Sequence, residues 1–194
     1  MSRREVVRHR QLVFVFASLV LAWILPAGAE GAPAAPDTVV TYPATGEEIS
    51  IVRDARGVPH VYAPSAEAAS YGVAWAAGQD RLWEAHLLRL VFSGRFSELL
   101  GPVVVQDDKV IRLRGYTAGE RARKFARLPA DVQAEFHAYA AGLKDYAALA
   151  TTNPALLPVE FVEFGVLPIP PFTVDDMMAA WDLITWSPSD VMHA

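Results

Sequence analysis

Apolar and polar residues alternate through "EISIVRDARGVPHVYAP", which gives two short β-rich runs, Ile49 to Arg53 and Val58 to Tyr62, joined by Asp54-Ala55-Arg56-Gly57. A hairpin is the simplest reading, with Gly57 suited to the positive φ of such a loop. Pro59 donates no ladder hydrogen bond, so the second strand belongs at an edge, or Pro59 at its start. The period then lengthens. Ser65 reads as the N-cap of a helix that starts near Ala66, with Glu67 at its positive end, and Gly94 stops this helix after about Ser93. Within it, "WAAGQDRLWEAHLLR" (Trp75 to Arg89) leads Trp83, Leu87, Leu90 and Val91 along one face, yet sets Gln79, Asp80 and Arg81 side by side in apolar surroundings. Successive helical residues point about 100° apart, so three adjacent polar side chains do not share one solvent side. Some must be paired or capping.

"RFSELLGP" (Arg95 to Pro102) predicts a short helical turn ended by Gly101 and Pro102, whereas residues 103 to 116 are compatible with strand or helix. Pro129 and Asp131 open the strongest predicted helix, striped by Val132, Phe136, Tyr139, Ala140, Leu143, Tyr146 and Ala147 and ending before Asn153-Pro154. A Pro- and aromatic-rich stretch with one short helix follows. Thr173, with Asp176 three residues on, then caps a last helix with Met177, Trp181 and Ile184 on one face. The fold class is α+β, mainly helical with an N-terminal β-hairpin.

Composition changes this picture mostly at the start of the chain. Arg3, Arg4, Arg8 and Arg10 precede an uncharged run from Leu12 to Leu25, and Ala27-Gly28-Ala29 offers a small-residue cleavage site. Residues 1–29 therefore read as a signal peptide, leaving Sec and twin-arginine export both open. A retained anchor is the alternative, although the run is shorter than the roughly 20 residues needed to cross a bilayer. Residues 30–45 read as a linker. Removing residues 1–29 takes away four Arg and one Glu, leaving 13 basic against 21 acidic groups and a net charge of −8. An acidic chain of this kind points away from nucleic acid, and "RARKFAR" (Arg121 to Arg127) reads as one solvated helix face. No membrane partner is expected after signal removal. The absence of Cys excludes disulfides, thiolate nucleophiles and Cys-based metal sites.

Residue by residue, the chemistry is sparse. The sequence contains no G-x-S-x-G elbow, H-E-x-x-H pair, phosphate loop or EF-hand pattern. His60, His86, His137 and His193 are too widely spaced for a helical metal pair and read as structural or surface residues. Asp107-Asp108 reads as a solvated turn rather than half of an acid/base site, and Asp175-Asp176 as helix N-terminal charge. Ser97, Ser187 and Ser189 carry hydroxyls without a visible activating base.

Five ordered blocks go further: "IVRDARGVPHVYA" (Ile51 to Ala63), "YGVAWAAGQDRLWEAHLLR" (Tyr71 to Arg89), "GRFSELLG" (Gly94 to Gly101), "TNPALLPVEFVEFG" (Thr152 to Gly165) and "PFTVDDMM" (Pro171 to Met178). Together they resemble the A-chain portion of the penicillin acylase family of N-terminal-nucleophile hydrolases, over nearly all of residues 49 to 186. The resemblance implies that residues 46–194 are the A-chain part of an αββα sandwich, an incomplete domain. It also implies a precursor processed into two chains, in which a Ser at the B-chain N-terminus attacks the carbonyl of a linear amide. The substrates it implies are β-lactam acyl side chains or N-acyl homoserine lactones, and the location periplasmic or secreted.

The sequence ends near where a family A chain closes, so no catalytic residue is expected in it; the nucleophile and oxyanion donors are expected on a B chain. No cofactor or metal ligand is expected either. The structural calcium of some complete members would take its A-chain carboxylate from beyond Ala194. Aligned from Phe164-Gly165, the family's acyl-pocket positions fall on Ile184, Ser187 and Pro188, for which a plain core-and-loop reading stays open. The contrasting expectation is a truncated, non-catalytic exported protein with at most a binding role.

Overall fold

The computed structural model describes residues 37–185. The expected signal segment, residues 1–29, lies outside them. Three strands come first, β1 Thr38–Tyr42, β2 Glu47–Arg53 and β3 Pro59–Tyr62, followed by helices α1 Ala66–Phe92 and α2 Ser97–Leu100. A 3₁₀ turn at Gly101–Val104 leads into α3 Val105–Arg114, α4 Ala118–Phe125, α5 Ala130–Thr152, α6 Val159–Glu163 and α7 Val174–Ile184.

The sheet is an antiparallel meander in the order β1-β2-β3. The expected hairpin forms with Arg53 opposite Pro59, the first residue of β3, and Gly57 at φ 80°. The stretch read as a linker is corrected at its end: Val39 pairs with Ser50 and Val40 with Ile49, so the sheet gains β1. Alternation explains why. Val40, Tyr42, Ile49 and Ile51 are buried on one face, and two inward residues in an otherwise small and polar stretch suffice to extend a hydrophobic face.

That face lies on the first half of α1, where Ala68, Tyr71 and Ala76 are buried against it. Ser65 caps α1 as expected, accepting from the Ala68 N–H at 3.1 Å. Gly94, at φ 62°, follows its end. The long helix α5 then crosses α1 at very short range, because a Cβ at Gly142 would stand 2.4 Å from the Tyr71 carbonyl oxygen and 2.8 Å from Ala74 Cβ. Only glycine permits this approach. Leu82, Trp83, Leu143, Tyr146, Phe161 and Phe172 form the main core between α1, α5, α6 and the segment before α7.

Residues 103–116, open between strand and helix, form the end of a 3₁₀ turn and the helix 105–114, and α2 ends as expected at Leu100 with Gly101 as its C-cap at φ 72°. Asp108 supplies the anchor: it is buried, and its two carboxylate oxygens accept the N–H groups of Phe96 and Ser97 at 2.9 and 2.8 Å. On α7, the buried side carries Met178, Ala179 and Asp182, while Trp181 and Ile184 are exposed. Of the expected apolar stripe, Trp181 and Ile184 therefore point outward, while Met177 packs against the main core.

Candidate functional site

Ile184, Ser187 and Pro188 are the sequence-derived pocket candidates, and of these only Ile184 lies among the described residues. It is the last residue of α7 and 74% exposed. Ser187 and Pro188 lie outside the described residues. What the structure does describe is how α7 is held.

Thr173 and Asp176 form a reciprocal cap at the start of α7. The Asp176 carboxylate accepts from the Thr173 N–H and hydroxyl, both at 2.8 Å, and the Thr173 hydroxyl oxygen accepts from the Asp176 N–H at 3.3 Å. One residue away, Asp175 receives the Arg121 guanidinium through both oxygens at 2.6 Å, and the same arginine donates to the Tyr116 carbonyl. Arg121 is therefore buried and committed, which corrects the reading of residues 121–127 as a uniformly solvated face. A planar fork bonded in this way fixes direction as well as distance. A turn later, Lys124 pairs with buried Asp182 and lies over the Tyr116 ring. These contacts hold α7 against α4.

A third attachment comes from α1. Buried Arg89 donates to the carbonyl oxygens of Pro170 and Pro171 at 2.8 and 3.2 Å, and its guanidinium lies 4.3 Å from the centre of the Phe172 ring. Its Nε donates to His86 Nδ1 at 3.1 Å, and Nη2 lies 2.7 Å from the same nitrogen. His86 must therefore accept at Nδ1 and carry its proton on Nε2. Burial, reinforced by the Arg89 charge, lowers its pKa to about 4 and keeps the ring neutral. Beside this contact lies a cavity of about 430 Å³ bordered by His86, Arg89, Glu98, Phe164 and Pro168. A second, of about 440 Å³, is bordered by Arg112, Tyr116, Arg121, Asp175 and Asp182.

Gln79, Asp80 and Arg81 sit where α1 breaks: Arg81 has φ −146° and ψ 37°, outside the helical region. Arg53, whose side chain is 5% exposed, reaches from β2 and makes contacts of 2.8 and 3.1 Å with the two Asp80 oxygens. It also donates to Gln79 at 3.2 Å, and Gln79 donates to Thr38 on β1 at 3.1 Å. Two of the three polar residues thus tie the sheet to the helix, while Arg81 is exposed at the break.

Among the described residues, no serine hydroxyl has a histidine as hydrogen-bond partner, and His86 Nδ1 is occupied by Arg89. Among the described residues no three His, Cys, Asp or Glu residues stand together as a metal cluster. Sequence reasoning missed the roles of Arg53, Arg89 and Arg121. Their partners lie 27, 81 and 54 positions away, beyond any local spacing rule.

A family model described as penicillin amidase matches residues 48–193. Penicillin G acylase of Escherichia coli is 36% identical over 163 residues, which is 83% of this chain and 18% of that protein. Penicillin acylase 2 proenzyme of Pseudomonas sp. (strain SE83) is 32% identical over 132 residues, 68% of this chain and 16% of the relative. The solved structure of a thermostable penicillin G acylase from Alcaligenes faecalis superposes with a TM-score of 0.68 at 33% identity, covering 74% of this chain and 75% of that one. The chain thus spans less than a fifth of the length of the curated relatives it matches.

Proposed function

We propose a function for this chain from the fact that it belongs to the penicillin amidase family: it is the A-chain-like part of an exported amidohydrolase acting on linear amides. The match over residues 48–193 carries this reading, since it takes in the whole described sequence from β2 through α7 in order. The substrates proposed are amides of the β-lactam acyl side-chain or N-acyl homoserine lactone type. The catalytic group is a Ser at the N-terminus of a B chain that assembles with this one as a heterodimer.

The chemistry of that division is simple. A free α-amine has a pKa of about 7.7–8.0, so near neutrality it accepts the proton of its own serine hydroxyl while the oxygen attacks the amide carbonyl. Donors on the B chain stabilise the resulting oxyanion. This chain contributes position: α7, fastened by Asp175, Asp176 and Asp182, presents Ile184 and the residues after it, including Ser187 and Pro188, to the acyl group. Exposed Trp181 and Ile184 supply apolar surface for the acyl group and for the B chain. The location proposed is periplasmic or secreted; among the described residues no helix is long and apolar enough to cross a membrane.

The deciding experiment expresses the chain together with the coding sequence downstream of it. N-terminal sequencing of a second chain that opens with Ser, with amide hydrolysis only when both chains are present, is the expected result. A downstream sequence that yields no such chain overturns the proposal.

A further inference from the structure

One buried contact joins α1 to the segment leading into α7. Arg89, 5% exposed, is surrounded by neutral acceptors: His86 Nδ1, the carbonyls of Pro170 and Pro171, and the face of Phe172. His86, 2% exposed, is held on its other sides by aromatic rings, with Trp83 stacked 5.7 Å away and Phe161 of α6 at 5.3 Å. The arginine therefore has its charge met by dipoles, and one of those acceptors is itself a base. The charged groups facing the pair are Arg95 and Glu98, beyond the end of α1, and Asp176 on α7. Arg95 and Glu98 bond each other through two contacts of 2.8 Å, and Asp176 is engaged by Thr173. None of the three hydrogen-bonds to His86.

We infer that His86 and Arg89 form an acid-sensitive catch that fastens residues 166–172, and hence the start of α7, against α1. The proton step is local. A proton from solvent adds to Nδ1, whose lone pair then no longer accepts from Arg89, and an imidazolium faces a guanidinium in a site without a carboxylate bonded to either. Arg89 loses its His86 contact and is repelled from it, so its grip on the Pro170 and Pro171 carbonyls loosens. Above that transition the catch is closed. Its consequence for substrate, a pocket that shifts as α7 shifts, rests on the function proposed above, whereas the catch itself does not.

Histidine ¹⁵N NMR and hydrogen exchange of the full chain, followed across the acid range, test this. The His86 ring should be neutral with its proton on Nε2 near pH 7 and titrate at about pH 4. Exchange at Val166, Leu167, Ile169 and Phe172, the residues of this segment that carry an amide proton, corrected for its intrinsic pH dependence, should rise with the same midpoint. His86→Asn places an acceptor oxygen where Nδ1 was but takes up no proton, so it should keep protection at neutral pH and lose the acid step. Titration of His86 near the ordinary value of about 6.5 overturns the catch, as does an acid step of equal size in His86→Asn. If that variant does not fold, the coincidence or divergence of the two wild-type midpoints decides. In an assembled two-chain enzyme, an acid step at residues 166–172 with an unchanged KM for amide would overturn the acyl-pocket reading and leave the catch standing.

Discussion

Before the break at Arg81, α1 lies under the sheet and receives Arg53, whose guanidinium meets the Asp80 carboxylate and the Gln79 amide. Beyond the break it faces α6 and the approach to α7 and sends out Arg89, whose guanidinium meets a neutral ring nitrogen and two carbonyls. Both arginine side chains are buried, and both tie distant parts of the chain together. The first is a charge matched by a charge. The second is a charge solvated by dipoles, and it lasts only while those dipoles stay neutral. One helix thus carries a tie between opposite charges on one side of its kink and, on the other, a tie that depends on a neutral base.

Breaking the packing that both ties depend on has the largest expected effect. Gly142→Val places a branched side chain against the Tyr71 carbonyl and Ala74 and should cost about 3 kcal/mol or more, read as a lowered midpoint in urea unfolding. Acid should come next, acting through His86 on the second half of α1. His86 has a folded pKa of about 4, below its ordinary value of about 6.5, so the unfolded chain binds the proton more readily. Its contribution is therefore complete above pH of about 6.5 and is lost as pH falls toward 4, worth up to about 3 kcal/mol. Stability measured against pH in wild type and His86→Asn isolates it.

Asp80→Ala sharpens the comparison from the other side, leaving Arg53 buried without its carboxylate. A loss of about 2 kcal/mol is expected, below the full penalty for a broken buried pair because Asp80 is 34% exposed. The smallest effect should be that of Arg81→Ala, within about 0.5 kcal/mol, since Arg81 is exposed. A large loss for Arg81→Ala, or none for Asp80→Ala, would reverse the assignment of the tie.

Local signals in the sequence were legible where one short stretch decides the structure. Ser65, Gly94, Pro59 and the Thr173-Asp176 pair each set an element boundary through contacts within a few residues, and each does so in the structure. Adjacent polar residues at 79–81 announced that something must pair there, without revealing that the partner is Arg53 on a strand. The orientation of α7 was not legible. Its apolar residues Trp181 and Ile184 are exposed while Asp182 is buried, because Lys124 on α4 brings the compensating charge. β1 escaped notice for a related reason: two inward residues, Val40 and Tyr42, acquire meaning only once β2 lies beside them. Three residues of the QDR block and its surroundings thus identify a family through architecture rather than through reacting groups.

That distinction is open to one direct assay. The purified 194-residue chain is incubated with penicillin G and with an N-acyl homoserine lactone, and the released amine is quantified. On the proposed reading, in which the nucleophile belongs to a B chain, no release above the uncatalysed background is expected. Sustained turnover by this chain alone would contradict it.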